Sequence, residues 1–168
     1  MGSKLHKNAI KSWIISRAIG TVLFLIISLT VFYIMKFKFE IQWVVKNAKY
    51  ILFGIEIIGL LCIIDVIINP IIEYKTWVYE LTSDKIDFTK GILTKKRTIV
   101  PIIKIEHIKI NRGPINSKLG LANIEIFTAG GSHEIPNIEV KVAEEIGEYL
   151  NNKIKEKVEE FNEKNRSL

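Results

Sequence analysis

Cysteine is nearly absent. Cys62 is the single thiol in 168 residues, so no intrachain disulfide can form and no cysteine metal cluster exists. It stands inside an apolar run and reads as a small buried hydrophobe. Histidine is almost as scarce: His6, His107 and His133 are scattered, with no H-E-x-x-H pairing. No serine stands in G-x-S-x-G, and Gly130-Gly131 lacks the lysine and hydroxyl of a phosphate-binding loop. These absences leave no expected metal, cofactor or catalytic constellation, and the chain is expected not to be an enzyme. Zinc-finger, RNP and basic-region-plus-heptad patterns are missing as well, so nucleic acid is not an expected partner. There is no internal repeat, no low-complexity tract and no long linker.

Acidic residues are scarce in the first part of the chain. Residues 1–72 hold three acids against eight Lys or Arg, whereas residues 73–168 hold fifteen against sixteen. The formal +6 is therefore mostly an excess near two apolar runs, which suits an anionic lipid surface better than nucleic acid. Mean hydropathy is +0.22, high for a soluble chain of this length.

The run Ile51 to Ile72 is 22 residues long and interrupted by only two charges, Glu56 and Asp65. As a helix it would span about 33 Å, enough to cross the hydrocarbon core of a bilayer. A second run, Ile14 to Met35, carries Arg17 near its start. Its uncharged part is longer than a signal-peptide core and no small-x-small site follows, so it is expected to be a retained membrane helix. Gly2 lacks the Ser or Thr at position 6 that myristoylation requires, because His6 stands there. The two spans read as a helical hairpin with both ends on one side. Pro70, after Asn69, is expected to close the second span, so that whatever follows sits against the membrane face.

Between the spans, Phe37, Phe39, Ile41 and Trp43 alternate with Lys38, Glu40 and Gln42. This predicts an extended interfacial segment with Phe37, Phe39 and Trp43 as aromatic anchors. Trp43 to Tyr50 alternatively reads as a helical turn or two on the surface. Flanking positive charges number five on one side and four on the other, which leaves the orientation open.

Glu56 and Asp65 are nine residues apart, half a turn out of phase, and do not form an acid–base pair. Asp65 and Arg17 lie near the same membrane surface, where an ion pair would offset the cost of both charges. Asn69, one turn from Asp65, is expected to join that polar strip, and Glu56 either to reach toward Lys49 or to be held neutral. Arg17, Glu56, Asp65 and Asn69 thus serve either to fold the hairpin or to recognise a partner within the bilayer.

From Tyr74 on, short alternating runs separated by turn signals at Thr82-Ser83-Asp84, Gly91, Gly113-Pro114 and Ala129-Gly130-Gly131 predict six or seven strands without intervening helices. The fold class expected is a membrane protein with a two-helix transmembrane hairpin (residues 1–73, spans about 14–35 and 51–72). A small antiparallel open barrel (residues 74–168) follows it. Ile138, Val142, Ile146, Tyr149, Leu150, Ile154, Val158 and Phe161 recur at helical spacing, predicting a C-terminal amphipathic helix over about 138–164. Its first half is expected to cap the barrel, its second half, Lys153 to Asn165, to project past the domain and pack on a partner, and residues from Asn165 to fray. Lys85 to Lys118 carries nine Lys or Arg against Asp87 and Glu106. Its densest point, Lys95-Lys96-Arg97, is either a solvated hairpin or a face held against anionic headgroups.

The stretch YELTSDKIDFTKGILTKKRTIVPIIKIEHIKI, then RGPINSKLGLANIEIFTAGG and the short EIP strand, resembles the bacterial pleckstrin-homology domain of the second type, found in YdbS-like small membrane proteins. Gly91, Lys95-Lys96-Arg97, Pro101, Ile105, His107, Gly113-Pro114 and Leu119-Gly120-Leu121-Ala122 carry the match. The resemblance implies a seven-stranded open barrel closed by the C-terminal helix. It also implies a multi-pass protein of the bacterial cell membrane, with the barrel and both termini cytoplasmic. Relatives of this family are linked to protection against membrane-active bacteriocins, so a cationic bacteriocin peptide is one expected partner. A second copy or a paralogous membrane protein is another, and anionic lipid a third. The competing functional readings are a scaffold or subunit of a membrane complex and an anionic-lipid-binding module; His107 is expected to be structural.

Overall fold

A computed structural model describes residues 3–91 and 94–166. Gly2, Ser167 and Leu168 lie outside the described residues, as do the side chains of Val158 and Phe161. The chain divides into two compact units: residues 13–71, and the N-terminal segment up to Ser12 together with the chain from Ile72 onward.

The first unit is an apolar hairpin. Helix α1 (Asn8–Tyr33) and helix α2 (Ala48–Thr76) are joined through a π-helical turn at Ile34–Lys38 and a short helix at Gln42–Lys46. Both long helices present large apolar side chains outward, among them Val22, Ile26, Ile27, Leu60, Leu61 and Ile67. Both are long and apolar enough to cross a membrane. Apolar on nearly every face, they suit lipid on every side rather than a water-facing surface. They run antiparallel: Arg17 meets Asp65, and eight residues further up α1 the Leu25 side chain approaches Gly59, where an added Cβ would lie 3.1 Å from it.

Three expectations are corrected here. The segment 37–43 is not extended: Phe39 and Ile41 N–H groups donate to the carbonyls of Ile34 and Met35, and Glu40 turns the chain with φ of +46°. Alternation misleads at a lipid interface, because no aqueous face enforces a period, whereas backbone groups there still require internal partners. Phe37, Phe39 and Trp43 nonetheless stay exposed. Pro70 does not end α2, which continues to Thr76. A proline removes one backbone bond, and the turns on either side keep theirs. The helix stops where Trp77 N–H donates to Glu73 O at 3.1 Å and Thr76 Oγ1 caps the same carbonyl at 2.9 Å. Residues up to Ser12, expected to belong with the spans, group with the sheets instead.

The second unit holds two three-stranded antiparallel sheets in simple up-and-down order. The first sheet is β1 (Val78–Leu81), β2 (Lys85–Lys90) and β3 (Lys96–Pro101); the second is β4 (Ile105–Asn111), β5 (Leu121–Thr128) and β6 (Gly131–Glu139). Among the described residues that makes six strands, not the seven implied by the resemblance. Ser3 adds an isolated antiparallel bridge to Tyr79 on β1. Pro101 leads into a 3-10 turn at Ile102–Lys104 that separates the two sheets. The connection between β4 and β5 is a short helix, α3 (Pro114–Leu119), with proline at its first turn and Gly120 closing it in the left-handed region.

Ile86, Phe88, Val100, Leu121, Ile124, Ile126 and Ile135 form the core. The amphipathic helix α4 (Val140–Arg166) covers it with Ala143, Ile146 and Leu150. Gly147 lets this helix approach closely, since a Cβ there would meet Ile110 at 3.0 Å. Ile138, expected in the helix, is a buried residue of β6, and the helix continues past Asn165.

Candidate functional site

The hairpin places three of its four predicted polar residues together. Arg17 Nη1 donates to Asp65 Oδ2 at 3.1 Å, and Asn69 Nδ2 donates to the other carboxylate oxygen of Asp65. Both partners of the ion pair keep surface, with side-chain exposures of 30% for Arg17 and 49% for Asp65. The helical register causes this: Asp65 and Asn69 are one turn apart on α2, and the antiparallel partner brings Arg17 to the same level. An open groove of about 450 Å³ extends from the pair between Gly20 and Phe24 of α1 and Leu61 and Cys62 of α2.

Glu56 stands apart from this cluster. It is exposed on α2 and, among the described residues, makes no ion pair with Lys49 or any other cation. An acidic side chain without a cation partner on an apolar helix is costly in hydrocarbon and marks a place where a cation is favourable. Cys62 is half-buried at the groove, as a small apolar residue would be.

The basic hairpin is divided by the structure. Lys95 and Lys96 are exposed, but Arg97 grips Asp87: its Nε donates to Oδ1 at 3.1 Å and to Oδ2 at 3.0 Å, and Nη2 donates to Oδ2 as well. The register pairs Arg97 with Thr89, which puts Asp87 diagonally across the ladder within reach of a long side chain. The guanidinium hydrogen bonds hold the Asp87 carboxyl below its usual range, and Asp87 in turn raises the Arg97 pKa. Arg97 is thus largely spent on the sheet, and the open positive charge of the predicted trio is that of Lys95 and Lys96.

His107 stacks on Phe127 with ring centroids 4.3 Å apart, a packing role. Among the described residues no group of His, Cys, Asp and Glu could hold a metal ion.

One polar array has no counterpart in the sequence reading. Ser12 Oγ donates to Asn116 Oδ1 at 2.6 Å, and Asn116 Nδ2 donates to Asn123 Oδ1 at 3.0 Å. The same Asn123 oxygen accepts the Asn137 N–H at 2.9 Å, and Asn123 Nδ2 donates to Glu134 at 2.6 Å. Asn8 Nδ2 reaches Leu119 O at 3.3 Å. Asn137 has φ of +53° at an irregularity in the β5–β6 ladder, a conformation asparagine tolerates better than most residues. The array fastens the start of α1 to α3 and the second sheet. The signal available in the sequence was a set of asparagines at non-repeating positions, which carries no period to read.

Comparison with known protein families matches residues 10–154 to the family described as "Bacterial PH domain". Over 84 residues the chain is 36% identical to "UPF0699 transmembrane protein YdbS" of Bacillus subtilis (strain 168). The alignment covers 50% of this chain and 53% of that protein, so the chain spans about half the length of the curated relative it matches. No solved structure matches.

Proposed function

The chain belongs to the bacterial PH domain family and is a membrane protein, and from that premise we propose that it protects a bacterial membrane against a cationic membrane-active peptide. The protection is non-enzymatic. The observation that supports this reading is the pair of exposed acids, Glu56 and Asp65, on an otherwise apolar helical surface. A cationic amphipathic peptide inserted beside α2 offers the positive charge that Glu56 lacks, and its apolar face fits the groove beside Asp65. In this arrangement the barrel and both termini are cytoplasmic, and reporter fusions at either end are expected to register the cytoplasm.

Expression in a peptide-sensitive bacterium tests the proposal. The inhibitory concentration of cationic leaderless or circular bacteriocins is expected to rise several-fold. Glu56→Gln and Asp65→Asn are expected to lose that protection while membrane levels of the protein stay normal. An unchanged inhibitory concentration across such peptides refutes the function, and full protection by both variants refutes the role given to the acids.

A second reading, attachment of the barrel to anionic lipid, is favoured by the exposed Lys95 and Lys96. Lys95→Gln/Lys96→Gln is then expected to weaken association of the barrel with phosphatidylglycerol bilayers, and equal association of both proteins excludes it. Assembly with a second copy or a paralogous membrane protein is the remaining proposal, and cross-linking in native membranes tests it.

A further inference from the structure

Tyr79 is 7% exposed, its ring held inside the sheet unit by β1. Its hydroxyl nonetheless makes no hydrogen bond among the described residues. Among the described residues no fully sealed side-chain oxygen or nitrogen is left without a partner, so this hydroxyl reaches open space. Tyr79 lines a cavity of about 380 Å³ together with Lys4, His6, Lys7, Tyr74 and Glu139. A hydroxyl that reaches open space without a protein partner is available to donate to a ligand acceptor.

The N-terminal segment is pinned around this cavity. Ser3 and Tyr79 exchange two backbone hydrogen bonds, of 2.6 and 2.9 Å. Leu5 and Ala9 are buried. His6 Nδ1 accepts the Asn8 N–H at 3.2 Å, so the neutral ring carries its proton on Nε2, a donor. Lys4 and Lys7 are exposed on either side of this fixed histidine. The lining brings Lys4, Lys7, His6 and Tyr79 together with one acid, Glu139. Burial pushes the Tyr79 phenol up, which keeps it protonated and a donor.

We infer that this cavity binds a phosphate group, with Tyr79, Lys4, Lys7 and His6 as its donors. Its volume falls in the range of about 300–1,000 Å³ usual for small-ligand sites. Lys4, His6 and Lys7 stand just before the apolar run that starts at Ile14, and Tyr74 and Tyr79 just after the one that ends at Ile72. Lipid headgroups, whose phosphodiesters border a membrane-spanning run, are one source of the ligand; a soluble phosphate is the other. The site is separate from Lys95 and Lys96 and does not rest on the peptide-protection reading.

The full chain in dodecyl maltoside micelles provides the test, with melting temperature followed against inorganic phosphate and against dihexanoyl phosphatidylglycerol, each matched in ionic strength with chloride. At least one probe is expected to raise the melting temperature saturably. A response to phosphatidylglycerol alone identifies the headgroup as the source, and a response to both identifies phosphate itself. Tyr79→Phe removes one oxygen and keeps the packing; it and Lys4→Gln/Lys7→Gln are each expected to weaken the response roughly tenfold, the worth of a hydrogen bond to a charged group. Lys95→Gln/Lys96→Gln is expected to change it less than twofold. The inference is overturned if neither probe gives a saturable shift, if Tyr79→Phe and the Lys4/Lys7 variant respond as the native protein does, or if the response is lost only on replacing Lys95 and Lys96.

Discussion

Ser12 and Asn116 are 104 residues apart in the chain, yet the Ser12 hydroxyl donates to the Asn116 carbonyl oxygen at 2.6 Å in a buried setting. Both residues are nearly inaccessible, with 4% and 9% of their surface exposed. Through Asn116 the contact continues to Asn123 and from there to the backbone of Asn137. The start of α1 is thereby tied to the second sheet through side-chain hydrogen bonds.

Removing one end of this array is expected to cost less than removing its centre. Ser12→Ala should destabilise the sheet unit by about 1 kcal/mol, the net worth of one hydrogen bond. Asn116→Leu leaves Ser12 and Asn123 without their partner and should cost about 2–3 kcal/mol. Denaturant unfolding of the full chain in micelles measures both, and equal costs would show that the array does not act as a unit.

Acid should weaken the first sheet through Asp87. A carboxyl held below its unfolded value contributes stability above that value, about pH 3.9, and loses it as pH falls through the lower folded value. The melting temperature of the native protein is expected to exceed that of Asp87→Asn by a constant amount from about pH 8 to pH 5. The difference should shrink below about pH 4. Arg97 is well exposed, so the effect is small, and a difference that does not change with pH would separate Asp87 from the ion pair.

Arg17 and Asp65 should be coupled. Arg17→Met and Asp65→Leu each leave one charge in the apolar hairpin, whereas the double variant leaves none. The double variant is expected to be more stable than the sum of the two single losses predicts, by on the order of 1 kcal/mol. Unfolding of the reconstituted protein by a denaturing detergent provides the cycle. Additive losses would mean that the two side chains do not hold one another.

Glycines of α2 should differ by position. Gly59→Leu drives a side chain into Leu25, and overpacking of this kind costs about 1–3 kcal/mol. Gly54→Ala meets nothing within 4 Å and should be neutral or stabilising by up to about 1 kcal/mol through helix propensity. The same detergent titration distinguishes them. Equal responses would contradict the close approach of α1 and α2 at Gly59.

Much of the architecture was legible because it rests on local free energies. A run such as Ile51 to Ile72 has no aqueous face in any helical phase, and that alone selects lipid. Alternation in Ile86 to Phe88 and Ile124 to Ile126, with turn residues between the runs, selects short strands. The sequence also placed Arg17, Asp65 and Asn69 at compatible depths, since an antiparallel hairpin makes depth a matter of counting residues. Tertiary structure decided what counting cannot. It committed Arg97 to Asp87, because the ladder register puts their side chains on one diagonal. It carried the helix through Pro70 and turned the chain with a π-helical turn before Glu40, because backbone groups had partners beyond each local break. It also drew Ser3 to Ser12 onto the sheets and set Tyr79 in the lining of a basic cavity. Composition and period are properties of neighbours in sequence; hydrogen bonds between residues a hundred positions apart acquire an energy only when the fold has brought their atoms within reach.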